Sequence, residues 1–158
     1  MLRRAESADA RAVAALWNDM IEHSSATFTT ALKSPEEVAQ MISGRGVGFI
    51  VAEQQGALMG FVTYGAFRAG PGYAHTMEHS IVLAEPARGS GLGRRLMQDL
   101  ETVAKSQSVH SLIGCVSGEN NGAIVFHQKL GFTQAGRLRE AGFKFGRWMD
   151  LVLMQKHL

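Results

Sequence analysis

Apolar residues recur at helical spacing in two early segments of the chain. Val13, Leu16, Trp17, Met20 and Ile21 form one stripe, with Ser7 or Asp9 ahead of it as a cap. Ser34-Pro35-Glu36-Glu37 opens the second: Ser as the cap, Pro at the first helical position and Glu three residues on. That helix carries Val38, Met41 and Ile42 and stops near Gly44 to Gly46. His23 to Lys33 has no clear period and reads as a loop. Leu2 to Arg4 fits a short first strand. The extended runs Gly48 to Ala52 and Ala57 to Tyr64, joined by Glu53-Gln54-Gln55-Gly56, read as a hairpin. The glycine-rich stretch Arg68 to Gly72 leads to a strand from His75 to about Leu83, ended by Ala84-Glu85-Pro86-Ala87. Leu92, Leu96, Leu100 and Val103 mark an amphipathic helix within Gly91 to Ser106. Ser111 to Ser117 is a buried strand, Asn121 to Leu130 a helix closed by Gly131, and Phe132 to Leu138 and Phe143 to Met154 are two final strands. Helices between mostly extended segments predict an α+β or α/β layer around one mixed sheet.

Composition narrows the class. The 158 residues, 46% of them hydrophobic, suit one globular domain spanning 1–158. Lys plus Arg exceed Asp plus Glu by only 16 − 14 = 2, so no nucleic-acid scaffold held by bulk charge is expected. Every apolar run is broken well before the roughly 18 residues of a membrane span. Arg3 and Arg4 lead into Glu6 and Asp9 rather than an apolar stretch, so no export signal is expected and a cytoplasmic location is. A single cysteine, Cys115, excludes an intrachain disulfide framework and reads as a small core residue. The six histidines lack the i, i+4 pairing of a helical metal site, and no catalytic metal is expected.

The most informative segment is Arg88-Gly89-Ser90-Gly91-Leu92-Gly93, between a strand and a helix. A helix start carries unpaired N–H groups and the positive end of the helix dipole, which suit an anionic phosphate. Glycine removes the Cβ that would hold the phosphate away and tolerates positive φ. Arg88, Arg94 and Arg95 add charge around the turn. The plain alternative is a glycine-rich joint with solvated arginines. A dinucleotide fingerprint does not fit, because Gly93 comes too early and the turn does not follow an opening βαβ unit. A nucleotide P-loop is excluded by the lack of Gly-Lys-Ser/Thr.

Arg88-x-x-Gly91-x-Gly93 resembles the signature of the GCN5-related N-acetyltransferases, in which this turn holds the pyrophosphate of acetyl-CoA. Asn120-x-x-Ala123-x-x-Phe126-His127-x-x-x-Gly131-Phe132 is similar to that superfamily's second motif. A closer resemblance, over nearly the whole chain, is to the phosphinothricin and methionine sulfoximine acetyltransferases. It rests on His75-Thr76-Met77-Glu78-His79-Ser80, on His127-Gln128-Lys129-Leu130-Gly131-Phe132, and on Gly142-Phe143-Lys144-Phe145-Gly146-Arg147-Trp148-x-Asp150. The resemblance implies a twisted mixed sheet flanked by helices, with the fourth and fifth strands splayed to admit the thioester. It implies a homodimer, and acetyl transfer to the amine of a small amino-acid-like substrate.

Within that expectation each residue has two readings. An α-amine with a pKa of about 8 needs a proton acceptor at neutral pH. Glu78 resembles the family's proposed general base; the other reading is an edge-strand carboxylate in a salt bridge. His127 stands where the superfamily often has a tyrosine that protonates the leaving thiolate; a hydrogen-bonded scaffold histidine is the alternative. His75 and His79 fall on the strand face opposite Glu78 and are weaker candidates, structural or supporting. The oxyanion is expected at a backbone N–H among Ile81, Val82 and Leu83. The cofactor contacts extend over Arg88, Gly89, Ser90, Gly91, Leu92, Gly93 and Arg94. Asn120 either binds cofactor or caps its helix. Arg68 resembles the group's carboxylate-binding arginine; a second basic residue of many relatives is replaced here by Ala74. Phe28 and Tyr73 are expected to wall the acceptor pocket. The alternatives are a solvated Arg68, a strand-end Tyr73 and a loop-anchoring Phe28. A protein or peptide acceptor, or a non-catalytic acyl-CoA sensor, are the competing functions.

Overall fold

The strongest start signals become reciprocal caps in the computed structural model, which describes all 158 residues. Ser34 Oγ accepts from the Glu37 amide at 3.1 Å, and Glu37 accepts from the Ser34 amide at 2.7 Å. This pair opens α2 (Pro35–Arg45). Neither Ser7 nor Asp9 caps the first helix through its side chain. The Asp9 carboxylate accepts from the Glu6 amide at 2.8 Å and closes a short 3-10 turn, Ser7–Asp9, that leads into α1 (Ala10–His23). The other elements are β1 (Leu2–Arg4), β2 (Phe49–Gln54), β3 (Ala57–Ala66), β4 (Thr76–Leu83), α3 (Leu92–Ser106), β5 (Ser111–Ser117), α4 (Asn121–Lys129), β6 (Thr133–Lys144) and β7 (Arg147–His157).

The strands form one seven-stranded sheet in the order β1-β2-β3-β4-β5-β7-β6. Only the β4–β5 pairing is parallel. One face packs Phe49, Phe61 and Val82 against Trp17 and Ile21 of α1 and Val38 and Ile42 of α2. The other packs Leu112 and Met154 against Leu96, Met97 and Leu100 of α3. This is the expected mixed sheet with helices on both faces. No helix is long and apolar enough to cross a membrane.

The central strands do part. β4 pairs with β5 only from Thr76↔Ser111 to His79↔Gly114. Beyond that rung β4 stays with β3 as far as Leu83, and β5 stays with β7 as far as Ser117. The result is a wedge in the middle of the sheet.

One expected boundary is corrected. The break between the last two strands was expected at residues 139–142; the chain instead turns at Phe145 and Gly146, whose φ values are 52° and 73°. Two consecutive left-handed residues match the twist of a tight hairpin, which a strand expected from Phe143 onward conceals. Residues 139–142 form a bulge, where Glu140 has φ 51°. Asp150 holds it, accepting from the Glu140 amide at 2.9 Å and from Arg137 Nε at 2.6 Å.

Candidate active site

The turn into α3 has the backbone that an anion site requires. Gly89 and Gly91 have φ of 75° and 83°, and a Cβ at either would project into open space. Side chains seldom adopt that conformation, so both positions call for glycine. Ser90 Oγ donates to Ala87 O at 2.6 Å and receives the Leu92 amide at 3.4 Å, which ties the turn down. Arg95 N is the first amide to reach back, to Gly91 O at 3.2 Å. The amides of Gly89, Ser90, Gly91, Gly93 and Arg94 have no acceptor within the protein. Exposed Arg88, Arg94 and Arg95 surround them. Gly93 has a different duty: its Cβ would come within 3.2 Å of Leu83 and 3.3 Å of Phe126, so it lets α3 pack closely. The residues present therefore fit a pyrophosphate.

Strand parity decides what β4 presents to the wedge. The Ala84 amide donates to Met59 O at 2.9 Å, toward β3, and His75 O accepts from His110 and Ser111 on the β5 side. Successive peptide groups alternate, so the N–H and C=O groups of Ile81 and Leu83 face the wedge, while those of Val82 are spent on β3. Of the three residues expected to offer an oxyanion donor, two have a free amide there. Glu78 shares its sheet face with Val82, the side covered by α1 and α2. Opposite it in the pairing is Gly65, over which the Arg45 guanidinium lies. That guanidinium donates one hydrogen bond, to Thr63 Oγ1 at 3.2 Å.

A cavity of about 420 Å³ occupies the wedge. Glu78, Ile81, Val82, Asn120, His127 and Phe28 line it, which unites the expected base, the wedge backbone and the aromatic wall. Asn120 fulfils its capping alternative, accepting from Ala123 N at 3.1 Å, with its side chain still on the cavity wall. Cys115 is no core residue: it is half-buried and lines the same cavity. Burial and the neighbouring Glu78 carboxylate push its thiol up to about 12, so it stays protonated.

His127 has both ring nitrogens engaged. Nδ1 lies 2.7 Å from Ala123 O, which can only accept, so Nδ1 carries the proton. Nε2 is then an acceptor, and His79 Nε2, 2.9 Å away, must donate to it. This leaves His79 Nδ1 as a buried lone pair with no partner. Burial, and secondarily the His127 neighbour, lowers His79 to about 3; burial also lowers His127. Both are neutral at physiological pH. Gly114 makes room for them, since a Cβ there would meet a carbon of His79 and Nε2 of His127 at 2.9 Å.

The acceptor side is built from loop 24–33. Phe28 lies so close against Gly142 of β6 that its ring leaves no room for a Cβ there. The buried ammonium of Lys144 donates to the carbonyls of Ile21, Ser24 (2.7 Å) and Thr27 (3.0 Å). Asn18 exchanges two 2.9 Å hydrogen bonds with the backbone of Lys33. Arg68 and Tyr73 are not in this wall. Both are exposed, on the β3–β4 connection, with the guanidinium 5.5 Å from the tyrosine ring centroid. His75 is likewise outside, exposed, with Nδ1 2.8 Å from Ser108 O.

Trp17, Met20, Lys33 and Ser117 also line the cavity, and sequence reasoning did not single them out as site residues. Trp17 and Met20 belong to the apolar stripe of α1 and look like any core position. Gly114 carried a usable signal, because an isolated glycine inside a strand marks a close approach.

Residues 2–153 match the family model of the acetyltransferase (GNAT) domain. The chain is 32% identical to an L-methionine sulfoximine/L-methionine sulfone acetyltransferase of Pseudomonas aeruginosa, over 99% of this chain and 94% of that one. It superposes with a TM-score of 0.93 on a phosphinothricin acetyltransferase from Sinorhizobium meliloti in complex with acetyl-CoA, at 32% identity, covering 100% and 88% of the two chains. A ribosomal-protein-alanine N-acetyltransferase from Brucella melitensis gives a TM-score of 0.95 at 38% identity, covering 100% and 99%. With the unpaired amides of the α3 turn and the parted strands already in place, these likenesses lead to one conclusion: the chain belongs to the GNAT acetyltransferase family and is an N-acetyltransferase with acetyl-CoA as its cosubstrate.

Proposed function

We propose that the protein acetylates the α-amine of a small amino-acid-like acceptor of the phosphinothricin, methionine sulfoximine or methionine sulfone type. The observation that carries this reading is the cleft between the parted strands, in which a carboxylate from β4 and the backbone of that strand meet a wall that includes Phe28. Acetyl-CoA supplies the activated acyl group, in direct transfer within a ternary complex. The amides from Gly89 to Arg94 hold the pyrophosphate against the start of α3, with Arg88 and Arg94 beside it. Glu78 accepts the ammonium proton and so frees the lone pair that attacks. The Ile81 and Leu83 amides are placed to receive the developing oxyanion. As the C–N bond forms and the C–S bond breaks, the remaining amine proton goes to the departing thiolate, so that CoA leaves as the free thiol. His127, whose Nδ1 proton is held by Ala123 O and whose Nε2 accepts from His79, serves as a hydrogen-bonded scaffold beside the reacting groups.

Release of free thiol from acetyl-CoA under a panel of methionine sulfoximine, methionine sulfone and phosphinothricin tests the proposal. Turnover confined to these amines is the expected result; cofactor binding without turnover on any amine overturns it in favour of an acyl-CoA sensor. A second reading has support in the Brucella likeness: an N-terminal alanine of a protein as the acceptor. An alanine-starting peptide consumed in preference to free amino acids would establish it.

Assembly as a homodimer belongs to the same proposal. Leu138, Phe143, Phe145 and Trp148 are all more than half exposed on the β6–β7 hairpin, and Phe143 and Trp148 pack edge to face at 4.8 Å. Such an apolar patch suits a second copy of the chain. Light scattering should give twice the chain mass, and Trp148→Ser should reduce it; a monomeric wild-type protein at tens of micromolar would dismiss the dimer.

A further inference from the structure

Among the side chains that line the cavity only two carry a formal charge, Glu78 and Lys33, the buried histidines being neutral. Glu78 has a role in the reaction proposed above. Lys33 has none, and its surroundings are unusual for a lysine. Its main chain is clamped on both sides by Asn18, whose Oδ1 receives the Lys33 amide and whose Nδ2 donates to the Lys33 carbonyl, each at 2.9 Å. Its ammonium lies 4.6 Å from the centroid of the Trp17 ring, itself part of the cavity wall. No carboxylate of the protein lies within ion-pairing distance of it, although Arg3, Arg137, Arg147 and Lys156 each have one. A half-buried cation held over an aromatic face, with its three N–H donors unclaimed by any carboxylate, is preorganised for an anion from outside the protein.

We propose that Lys33 is the specificity-determining residue that binds the carboxylate of the acceptor. The inference rests on the small-amine reading above and deepens it. An amino-acid acceptor brings one cationic and one anionic group into a cavity with one anion and one cation on its walls. Its ammonium goes to Glu78, which must take a proton from it, and its carboxylate goes to Lys33. Arg68 is not available for this purpose within the same chain, since it lies outside the cavity wall and stacks on Tyr73. The positions of the two charges also state what the pocket refuses. An amine with a neutral amide or ester in place of the carboxylate leaves the ammonium of Lys33 without a counter-charge in a partly desolvated site.

The test compares L-methionine sulfone with its carboxamide, by calorimetric binding to the CoA-loaded protein and by turnover. The wild type should bind the acid at least about 10-fold more tightly than the amide, the size of one charge-assisted hydrogen bond. Lys33→Met should lose most of that preference by weakening the acid alone, and Lys33→Arg should restore it. A merely structural lysine predicts something else: equal losses for acid and amide, together with a lowered Tm. Equal losses, an unchanged preference in Lys33→Met, or a wild type that binds the two probes alike or not at all would overturn the assignment. Failure of the small-amine reading shows separately, as bound acid with no thiol released.

Discussion

The two ends of the proposed site are made in opposite ways. At the α3 turn the protein offers backbone: amides with no internal acceptor, two glycines in left-handed conformation, and nothing packed over them. At the acceptor end it offers side chains, and these are held by contacts that span the chain. Lys144 grips carbonyls 117 to 123 residues away, and Phe28 presses on Gly142. In the proposed reaction the first end meets a group common to every turnover and so suits any acceptor. The second faces the amine, and its shape depends on β6 being in place.

Substitutions can break this contrast in graded steps. Gly91→Val should do most damage. It forces a β-branched residue to φ 83° and pushes a Cβ where the phosphate must lie. Losing even two charge-assisted hydrogen bonds, at about 1.5–3 kcal/mol each, lowers CoA affinity by about 100-fold or more, which calorimetry would read. Unchanged affinity would remove the turn from the site. Glu78→Gln should reduce kcat by roughly 10²–10⁴-fold with CoA binding intact. Equal losses in both would make Glu78 a structural residue.

Lys144→Met strikes only the acceptor end. Three carbonyls lose their donor, which costs about 3 kcal/mol and lowers Tm. The KM for the amine should rise while CoA affinity stays constant; a parallel fall in CoA affinity would erase the distinction between the two ends. The last effect leaves activity at neutral pH untouched and concerns acid stability. The folded protein holds His79 at about 3 against an ordinary 6.5, so the unfolded chain binds the proton more readily. Stability is complete above about pH 6.5 and falls as pH drops toward 3, by about 1.4 kcal/mol per pH unit for this group. Denaturant titrations of His79→Gln should show a shallower acid slope; an identical slope would take His79 out of the account.

The legibility of the sequence follows the same division. Local chemistry was readable: the Ser34–Glu37 box and the glycines of the α3 turn each act within a few residues of themselves. Strand parity correctly set His79 and Glu78 on opposite faces. Beyond Phe28 the acceptor wall was not readable, because Lys33 meets Trp17, and Phe28 itself meets Gly142, through contacts that no local pattern encodes. Lys144 in particular alternates with aromatics and looks like a solvated strand cation, yet it is 3% exposed. Arg68 shows the converse. Its resemblance to the group's carboxylate-binding arginine pointed to the pocket, and in the single chain it lies exposed beside Tyr73. The hairpin turn at Phe145 was hidden because aromatic residues seldom take positive φ, as Phe145 does here ahead of Gly146.

Because neighbouring peptides in β4 point opposite ways, the strand works as a reading frame. Deleting one residue between Thr76 and Glu78 while keeping the pairing with β3 would send the carboxylate to the α3 side and turn the Ile81 and Leu83 amides inward against β3. Composition, charge and every catalytic side chain would survive such a deletion, and the enzyme would not. Evolution can therefore tinker with this strand by substitution but hardly by changes in length. Insertions and deletions are better tolerated in the connection from Phe67 to His75, whose exposed residues can absorb a shift before it reaches the frame.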